Sequence, residues 1–135
     1  MPQLVPYVFF NGRCAEAMAF YQAAFGGSYE IMTVGDSPMR DQSPPETHAA
    51  VMHATFTAPG ITFMASDGRE RGPIDPEAGN VSLSLTVDAD ADGDRIYTAL
   101  ADGGTSVMPF GDAPWGGKFG MLQDRFGNEW LIARM

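Results

Sequence analysis

One order of elements occurs twice along the chain, and it limits the possible folds more than any other feature. In each half, an apolar strand is followed by a helix that ends at a Gly-Gly pair, and three further strands follow. The pairs Gly26-Gly27 and Gly103-Gly104 lie 77 residues apart, from position 26 to position 103. Glycine commonly ends a helix, so the order predicts one α+β domain over 1–135 with β-α-β-β-β modules at about 3–67 and 80–135. Few residues are identical between the halves, and the alternative is a chance coincidence of two helix ends.

In the first half, the apolar stretch from Leu4 to Phe10 predicts a buried strand. Apolar residues then recur at helical spacing, which predicts an amphipathic helix from Cys14 to Phe25. A loop with three prolines is expected at 35–47, and a Pro59-Gly60 turn separates the last two strands. The remaining strands are predicted at 29–34, 48–57 and 61–66.

In the second half, leucine alternates with serine and threonine from Val81 to Val87, which predicts a strand with one buried face. The acidic stretch from Asp88 to Asp94 predicts a helix start, where carboxylates suit the positive end of the helix dipole. The last strands are predicted at 105–110, 118–123 and 129–133.

Composition and charge limit the classes of partner. Apolar residues make up 44% of the chain, enough for a core, and the formal net charge is −9. Because an acidic surface repels phosphate backbones and anionic membrane surfaces, we expect neither nucleic acid nor a membrane as a partner. The chain has no apolar run of membrane length, its start does not resemble a signal peptide, and its single cysteine excludes an internal disulfide. We therefore expect a cytoplasmic protein.

Several short motifs occur together over nearly the whole chain. They are Pro6-Tyr7-Val8-Phe9-Phe10-Asn11-Gly12, Ala19-Phe20-Tyr21, Met52-His53-Ala54, Phe63-Met64-Ala65-Ser66-Asp67, Asn80-Val81-Ser82-Leu83-Ser84-Leu85, Trp115-Gly116-Gly117-Lys118-Phe119-Gly120 and Asp124-Arg125-Phe126-Gly127-Asn128-Glu129-Trp130. In this combination they resemble the PhnB-like branch of the vicinal oxygen chelate superfamily. That superfamily contains glyoxalase I, bleomycin-resistance proteins and extradiol dioxygenases.

The resemblance implies paired modules that form a curved mixed sheet around a cleft, a homodimer and, in the superfamily's enzymes, a divalent metal. Carried over by position, its four ligand positions fall on Pro6, His53, Ser82 and Leu131, with Asn80 as the other candidate for the third. Proline and leucine offer no donor and serine is a weak one, whereas imidazole and carboxylate groups hold such metals. We therefore expect no metal or other cofactor. The alternative is a divalent metal held by His53 and Glu129, which shares the face of Leu131.

His53 is the one chemically suggestive side chain at these positions. It is expected to act as a catalytic general base or as a hydrogen-bond donor to a ligand, and the alternative is a partly buried histidine satisfied by a neighbour. Alternation along the strands adds apolar neighbours that would line a pocket with it. The expected ligand-binding residues are Val8, Phe10, Val51, His53, Thr55, Trp115, Phe119 and Leu131.

Four further residues are of types that often have functions. Two of them have a functional and a structural interpretation, and for the other two we expect a structural role. Cys14 at a helix start is either a nucleophile or, as we favour, buried core filler. Trp115 is expected to line the cleft, with a dimer contact as the alternative. Trp130 lies opposite Leu131 in the strand and is expected in the core, and His48 is expected to be a solvated residue at a strand start.

These features predict a small-molecule-binding protein of this superfamily without the usual metal centre. The first alternative is an enzyme of lyase, isomerase or dioxygenase type, using His53 in an unconventional metal site or as an acid or base. The second is a dimeric interaction module without a ligand. Methyl transfer has the least support, because the sequence has no Gly-rich cofactor loop of the Rossmann type.

Overall fold

The structure, a computed structural model, describes residues 2–72, 75, 79 and 81–134. The chain divides into two compact units, Met1–Gly72 and Pro73–Met135. Each unit contains one α-helix and one four-stranded mixed sheet. The expected α+β fold of two modules is therefore confirmed.

In the first unit, strand β1 (Tyr7–Phe9) leads into helix α1 (Cys14–Phe25). The other strands are β2 (Ser28–Thr33), β3 (Val51–Ala58) and β4 (Ile61–Ser66). The strand order is β1-β4-β3-β2, with β1 parallel to β4 and the other pairs antiparallel. Three short 3-10 turns connect β2 to β3, at Val34–Asp36, Arg40–Gln42 and Pro45–Thr47.

The second unit repeats this plan. Strand β5 (Leu83–Thr86) leads into helix α2 (Asp90–Ala101). The strands that follow are β6 (Thr105–Asp112), β7 (Lys118–Gln123) and β8 (Glu129–Arg134). Their order is β5-β8-β7-β6, again with one parallel pair, β5 and β8.

Helix α1 has the predicted bounds, but two strands of the first unit are shorter than the sequence indicates. The first strand was expected from Leu4, which is fully exposed. The third was expected from His48, which instead folds back over the preceding turns. Its Nε2 donates to the carbonyl oxygens of Arg40 and Ser43, at 3.0 and 3.1 Å. His48 is therefore half-buried and hydrogen-bonds within the loop between β2 and β3, and it is not a solvated residue at a strand start.

The two Gly-Gly pairs follow the same stereochemical rule in both units. The first glycine of each pair has a left-handed backbone, with φ of +74° at Gly26 and +78° at Gly103. The second glycine lies against the backbone of a strand end. A Cβ on Gly27 would lie 2.3 Å from the Thr57 carbonyl oxygen, and one on Gly104 would lie 2.1 Å from a strand carbonyl oxygen of β7. Glycine is therefore needed twice at each helix end, first for a positive φ and then for close approach, and Gly27 also has a positive φ of +81°.

The core of the first unit lies between α1 and one face of its sheet. Tyr21 of the helix is 1% exposed, and its ring meets that of Phe63 edge-on at a centroid distance of 5.7 Å. Phe63 in turn stacks on Phe56 at 5.1 Å. Burial of these aromatic rings supplies much of the hydrophobic stabilisation of the unit.

In the second unit, Leu100, Leu122 and Ile132 are fully buried. Trp130 is 4% exposed, and its indole N–H donates to the Asp124 carboxylate at 2.8 Å. The expectation that Trp130 lies in the core is therefore confirmed. In the part of the chain that the structure describes, neither helix has the length and hydropathy to cross a membrane.

Candidate functional site

Helix α1 covers one face of the first sheet, and we call the opposite side of that sheet the open face. Side chains alternate between the two faces along a strand, and directly paired residues share a face. Ala54 and Ala65 pair with each other and are fully buried, which places them on the helix side. Their neighbours therefore belong to the open face. These are Tyr7 and Phe9 on β1, Met64 on β4, His53 and Thr55 on β3, and Glu30 and Met32 on β2.

His53 lies between two hydroxyl groups on this face. Its Nδ1 is 3.3 Å from the Tyr7 hydroxyl oxygen, and its Nε2 is 3.4 Å from Thr55 Oγ1. In a neutral imidazole one nitrogen donates and the other accepts, so the tautomer decides which hydroxyl donates to the ring. Both distances exceed the usual hydrogen-bond optimum, which indicates weak bonds that a ligand atom can replace.

Aromatic and methionine side chains surround this polar group. The Tyr7 ring centroid lies 5.7 Å from that of His53 and 5.3 Å from that of Phe9, with both ring pairs tilted by nearly 50°. Phe9 is 58% exposed, Tyr7 42% and Met32 38%. Binding of a ligand that removes such large apolar side chains from water lowers the free energy of the complex.

An open depression of about 530 Å³ lies beside His53. It is lined by Glu30, Ile31, Met32, His53 and Thr55, all within the first unit. The volume falls in the range typical of small-molecule sites. Methionine provides an adaptable apolar wall there, and the carboxylate, imidazole and hydroxyl groups provide polar contacts.

The sequence placed the wrong face of β1 toward His53. Val8 pairs with the buried Ala65, and Phe10 is 1% exposed with its ring 5.9 Å from that of Tyr21 in α1. Both predicted ligand-binding residues therefore lie on the helix side. Tyr7 and Phe9 occupy the open face instead, because a shift of one residue moves every side chain of a strand to the other face.

Val51 also does not line the depression. The pairing of β2 with β3 shifts between Met32 and Thr33, which interrupts the alternation just before His53. Val51 is 6% exposed, and its N–H donates to the buried carboxylate of Asp67 at 2.8 Å. The predicted residues that the structure brings together in this unit are thus His53 and Thr55.

The other predicted site residues belong to the second unit, where α2 covers one face of the sheet. Leu131 is half-buried on the other face of this sheet, beside Glu129 two positions away along β8. The Trp115 ring, 65% exposed, meets the Phe119 ring edge-on at 5.4 Å. A role of these residues in ligand binding stays a prediction.

The donors at the carried-over metal positions do not fit the divalent ion that the superfamily implies. Pro6 has no donor, and the hydroxyl of the neighbouring Tyr7 already lies at the His53 ring. Ser82 Oγ donates to the Glu129 carboxylate, and Leu131 carries no donor. Among the described residues, no three His, Cys, Asp or Glu side chains lie together as a metal site would require. The alternative Asn80 lies outside the described residues, and the pair of His53 and Glu129 stays a prediction.

Cys14 lies at the first turn of α1, but its environment opposes reactivity. The side chain is fully buried. Burial, with the nearby Asp67 carboxylate, raises the pKa of the Cys14 thiol to about 12. Asp67 also accepts the Cys14 backbone N–H at 2.9 Å. The thiol is therefore protonated at neutral pH, as expected for core filler rather than a nucleophile.

The fold defines the class of protein first. The chain has the two-module α+β fold of the glyoxalase/bleomycin resistance/dioxygenase superfamily. A solved member from Sphaerobacter thermophilus aligns over 100% of this chain and 99% of its own, with a TM-score of 0.58 and 21% identity, a likeness of fold alone.

Closer relatives then define the family. The profile of the family described as 3-demethylubiquinone-9 3-methyltransferase matches residues 2–133. Protein YjdN of Escherichia coli K12 is 30% identical over 141 residues, covering 96% of this chain and 92% of YjdN. The structure of protein PA1353 from Pseudomonas aeruginosa has 37% identity and a TM-score of 0.84, covering 99% and 98% of the two chains. A Bacillus cereus PhnB protein, described as a putative 3-demethylubiquinone-9 3-methyltransferase, has 30% identity and a TM-score of 0.76, covering 99% and 100%. The chain therefore belongs to this PhnB-like family.

Proposed function

We propose that the protein binds a small, largely apolar or aromatic molecule on the open face of its first sheet, around His53, without a metal ion. The observation that carries the proposal is the position of His53 between the Tyr7 and Thr55 hydroxyls, beside exposed aromatic and methionine side chains. Small-molecule sites typically contain a few precisely placed polar groups among apolar side chains.

The apolar contacts with the ligand would come from exposed side chains that lie together on the open face. Single exposed apolar residues are common on proteins and need no explanation. Here Tyr7, Phe9 and Met32 share one sheet face, and Met64 is half-buried between them. A flat molecule on this face would remove several of these side chains from water at once.

The polar contribution comes from His53. Because its two hydrogen bonds are long, a ligand hydroxyl or carbonyl can replace either one at little cost. The imidazole can donate to or accept from that ligand, according to its tautomer.

One observation favours acid–base catalysis by His53 as a second candidate. The Tyr7 hydroxyl at Nδ1 would orient the ring and hold its tautomer, as the partner of a catalytic histidine does. Methyl transfer, which the family description names, is least favoured because the sequence lacks a Gly-rich Rossmann loop. A homodimer and a cytoplasmic location stay predictions.

The test uses methionine methyl groups as reporters in NMR. Protein labelled at methionine is titrated with 2-naphthol, a small neutral hydroxylated aromatic. The Met32 and Met64 resonances are expected to shift saturably, whereas that of Met18, fully buried on the helix side, is expected to stay in place.

Variants assign the response to the site. His53→Ala is expected to weaken 2-naphthol binding several-fold, because it removes a polar partner and ring contacts. Gln22→Ala, at an exposed position of α1 on the other side of the sheet, serves as the control and is expected to bind like the wild type. The absence of saturable shifts at Met32 and Met64, or equal affinity in His53→Ala, would overturn the proposal.

A further inference from the structure

We infer that the molecule bound on the open face is an organic cation, and that Glu30 is the residue that selects it. This inference rests on the proposed function and adds the charge class of its ligand. Glu30 belongs to the exposed edge strand β2 and lines the same depression as His53.

The pairing of β2 with β3 fixes the position of Glu30. Glu30 lies directly opposite Thr55, and Met32 lies opposite His53. Glu30 and His53 are therefore diagonal neighbours on one face, a relation in which Cα atoms lie roughly 7–8 Å apart. Both side chains can contact one small molecule.

Glu30 is the one formally charged side chain among the described strand residues that share this face. The strand residues that share the face all lie within the described part of the chain: Tyr7, Phe9, Ser28, Glu30, Met32, His53, Thr55, Thr57, Thr62, Met64 and Ser66. None of them is lysine or arginine, so an anionic ligand finds no fixed cation among these strand residues. The carboxylate of Glu30 makes no hydrogen bond or ion pair with the residues that the structure describes.

The rings on the same face favour a cation as well. Tyr7 presents an exposed ring that is tilted by 47° against Phe9 and by 48° against His53. The electron-rich face of an aromatic ring attracts ammonium groups, and the attraction grows when water is displaced. An aromatic amine would place its ring against these side chains and its ammonium group toward the carboxylate.

The net charge of the whole chain acts in the same direction at longer range. At −9 the protein attracts cations, but salt screens this field beyond about 8–10 Å. Glu30 attracts a bound cation at short range, whereas the net charge acts at longer range. Substitution of Glu30 separates these two electrostatic contributions.

The test compares three naphthalene probes of nearly equal size by the same methionine NMR titration. They are 2-naphthylmethylamine, a cation at neutral pH, 2-naphthylmethanol, which is neutral, and 2-naphthoate, an anion. The amine is expected to bind about 2- to 5-fold more tightly than the alcohol, as for a solvent-accessible ion pair, and the anion most weakly.

Glu30→Gln is expected to remove the preference for the amine and to leave binding of the alcohol unchanged. Glu16→Gln is the matched control, because it changes net charge equally and lies in α1, on the other side of the same sheet. The control is expected to keep the preference for the amine.

Three outcomes would overturn the inference. The first is that the amine binds no tighter than the alcohol, and the second is that Glu30→Gln keeps the preference for the amine. The third is that Glu16→Gln loses this preference equally, which would assign the effect to net charge. In each case binding of the alcohol at Met32 and Met64 still supports the proposed function. Failure of all three probes to bind contradicts the proposed function itself.

Discussion

The hydroxyl oxygen of Tyr7 lies 3.3 Å from Nδ1 of His53, and the two rings lie 5.7 Å apart between centroids. Tyr7 comes from β1 and His53 from β3, 46 positions later in the chain. Strand β4 lies between these strands, so the contact spans two strand intervals of the sheet. The contact between Tyr7 and His53 therefore forms only when β1, β4 and β3 have paired.

Tyr7→Phe tests the contribution of that hydroxyl, because it keeps the ring. We expect 2-naphthol to bind about 2- to 10-fold more weakly, corresponding to one lost hydrogen bond of about 0.5–1.5 kcal/mol. The free energy of unfolding should change by less than about 0.5 kcal/mol, since the side chain is well exposed. NMR titration and urea denaturation measure the two quantities, and unchanged affinity would remove the hydroxyl from the site.

Metal removal tests the donor set. Protein dialysed against EDTA is expected to bind 2-naphthol with the affinity of untreated protein, and added Zn²⁺ or Mn²⁺ should not change it. The reason is that the carried-over positions supply one strong donor, His53. Loss of binding after dialysis, restored by one equivalent of metal, would contradict this expectation.

Cys14 should be inert in the folded protein. Because its thiol has a pKa of about 12, almost no thiolate is present at pH 8, and the buried sulfur is not accessible to reagents. Ellman's reagent is expected to label less than one tenth of the protein over minutes at pH 8 and all of it in urea. Rapid stoichiometric labelling of folded protein would show a reactive cysteine.

The first Gly-Gly pair offers a matched test of stability. Gly26→Ala is expected to cost about 1–3 kcal/mol, because alanine disfavours the Gly26 backbone, with φ of +74° and ψ of −154°, but meets no atom within 4 Å. Gly27→Ala should cost more than about 4 kcal/mol, since its Cβ would also collide with the Thr57 carbonyl and with Ala58. Equal losses in urea denaturation would refute the close-approach explanation.

The sequence predicted the order of elements well because each signal was local. The bounds of α1 follow from helical spacing between Asn11-Gly12 and Gly26-Gly27. The alternation of leucine and serine predicted β5, which has the same two faces in the structure. Helix ends and strand alternation depend on residues that are close in the sequence, so they can be predicted from the sequence alone.

The site was predicted only in part because its geometry is not local. Strand β1 consists of aromatic and aliphatic residues, so its sequence does not indicate which of Phe9 and Phe10 faces the helix. The irregular pairing beside Met32 removed Val51 from the predicted face, and such an irregularity depends on the partner strand. Glu30 was missed as well, because only its pairing with Thr55 brings it beside His53.

The most direct test of ligand binding on the open face is a crystal soaked with 6-bromo-2-naphthol, with the bromine located by anomalous scattering. The account predicts one bromine peak on the open face of the first sheet, with the naphthol ring in van der Waals contact with Tyr7 or His53. A peak confined to another surface, or no peak in crystals whose open face is free of lattice contacts, would contradict it.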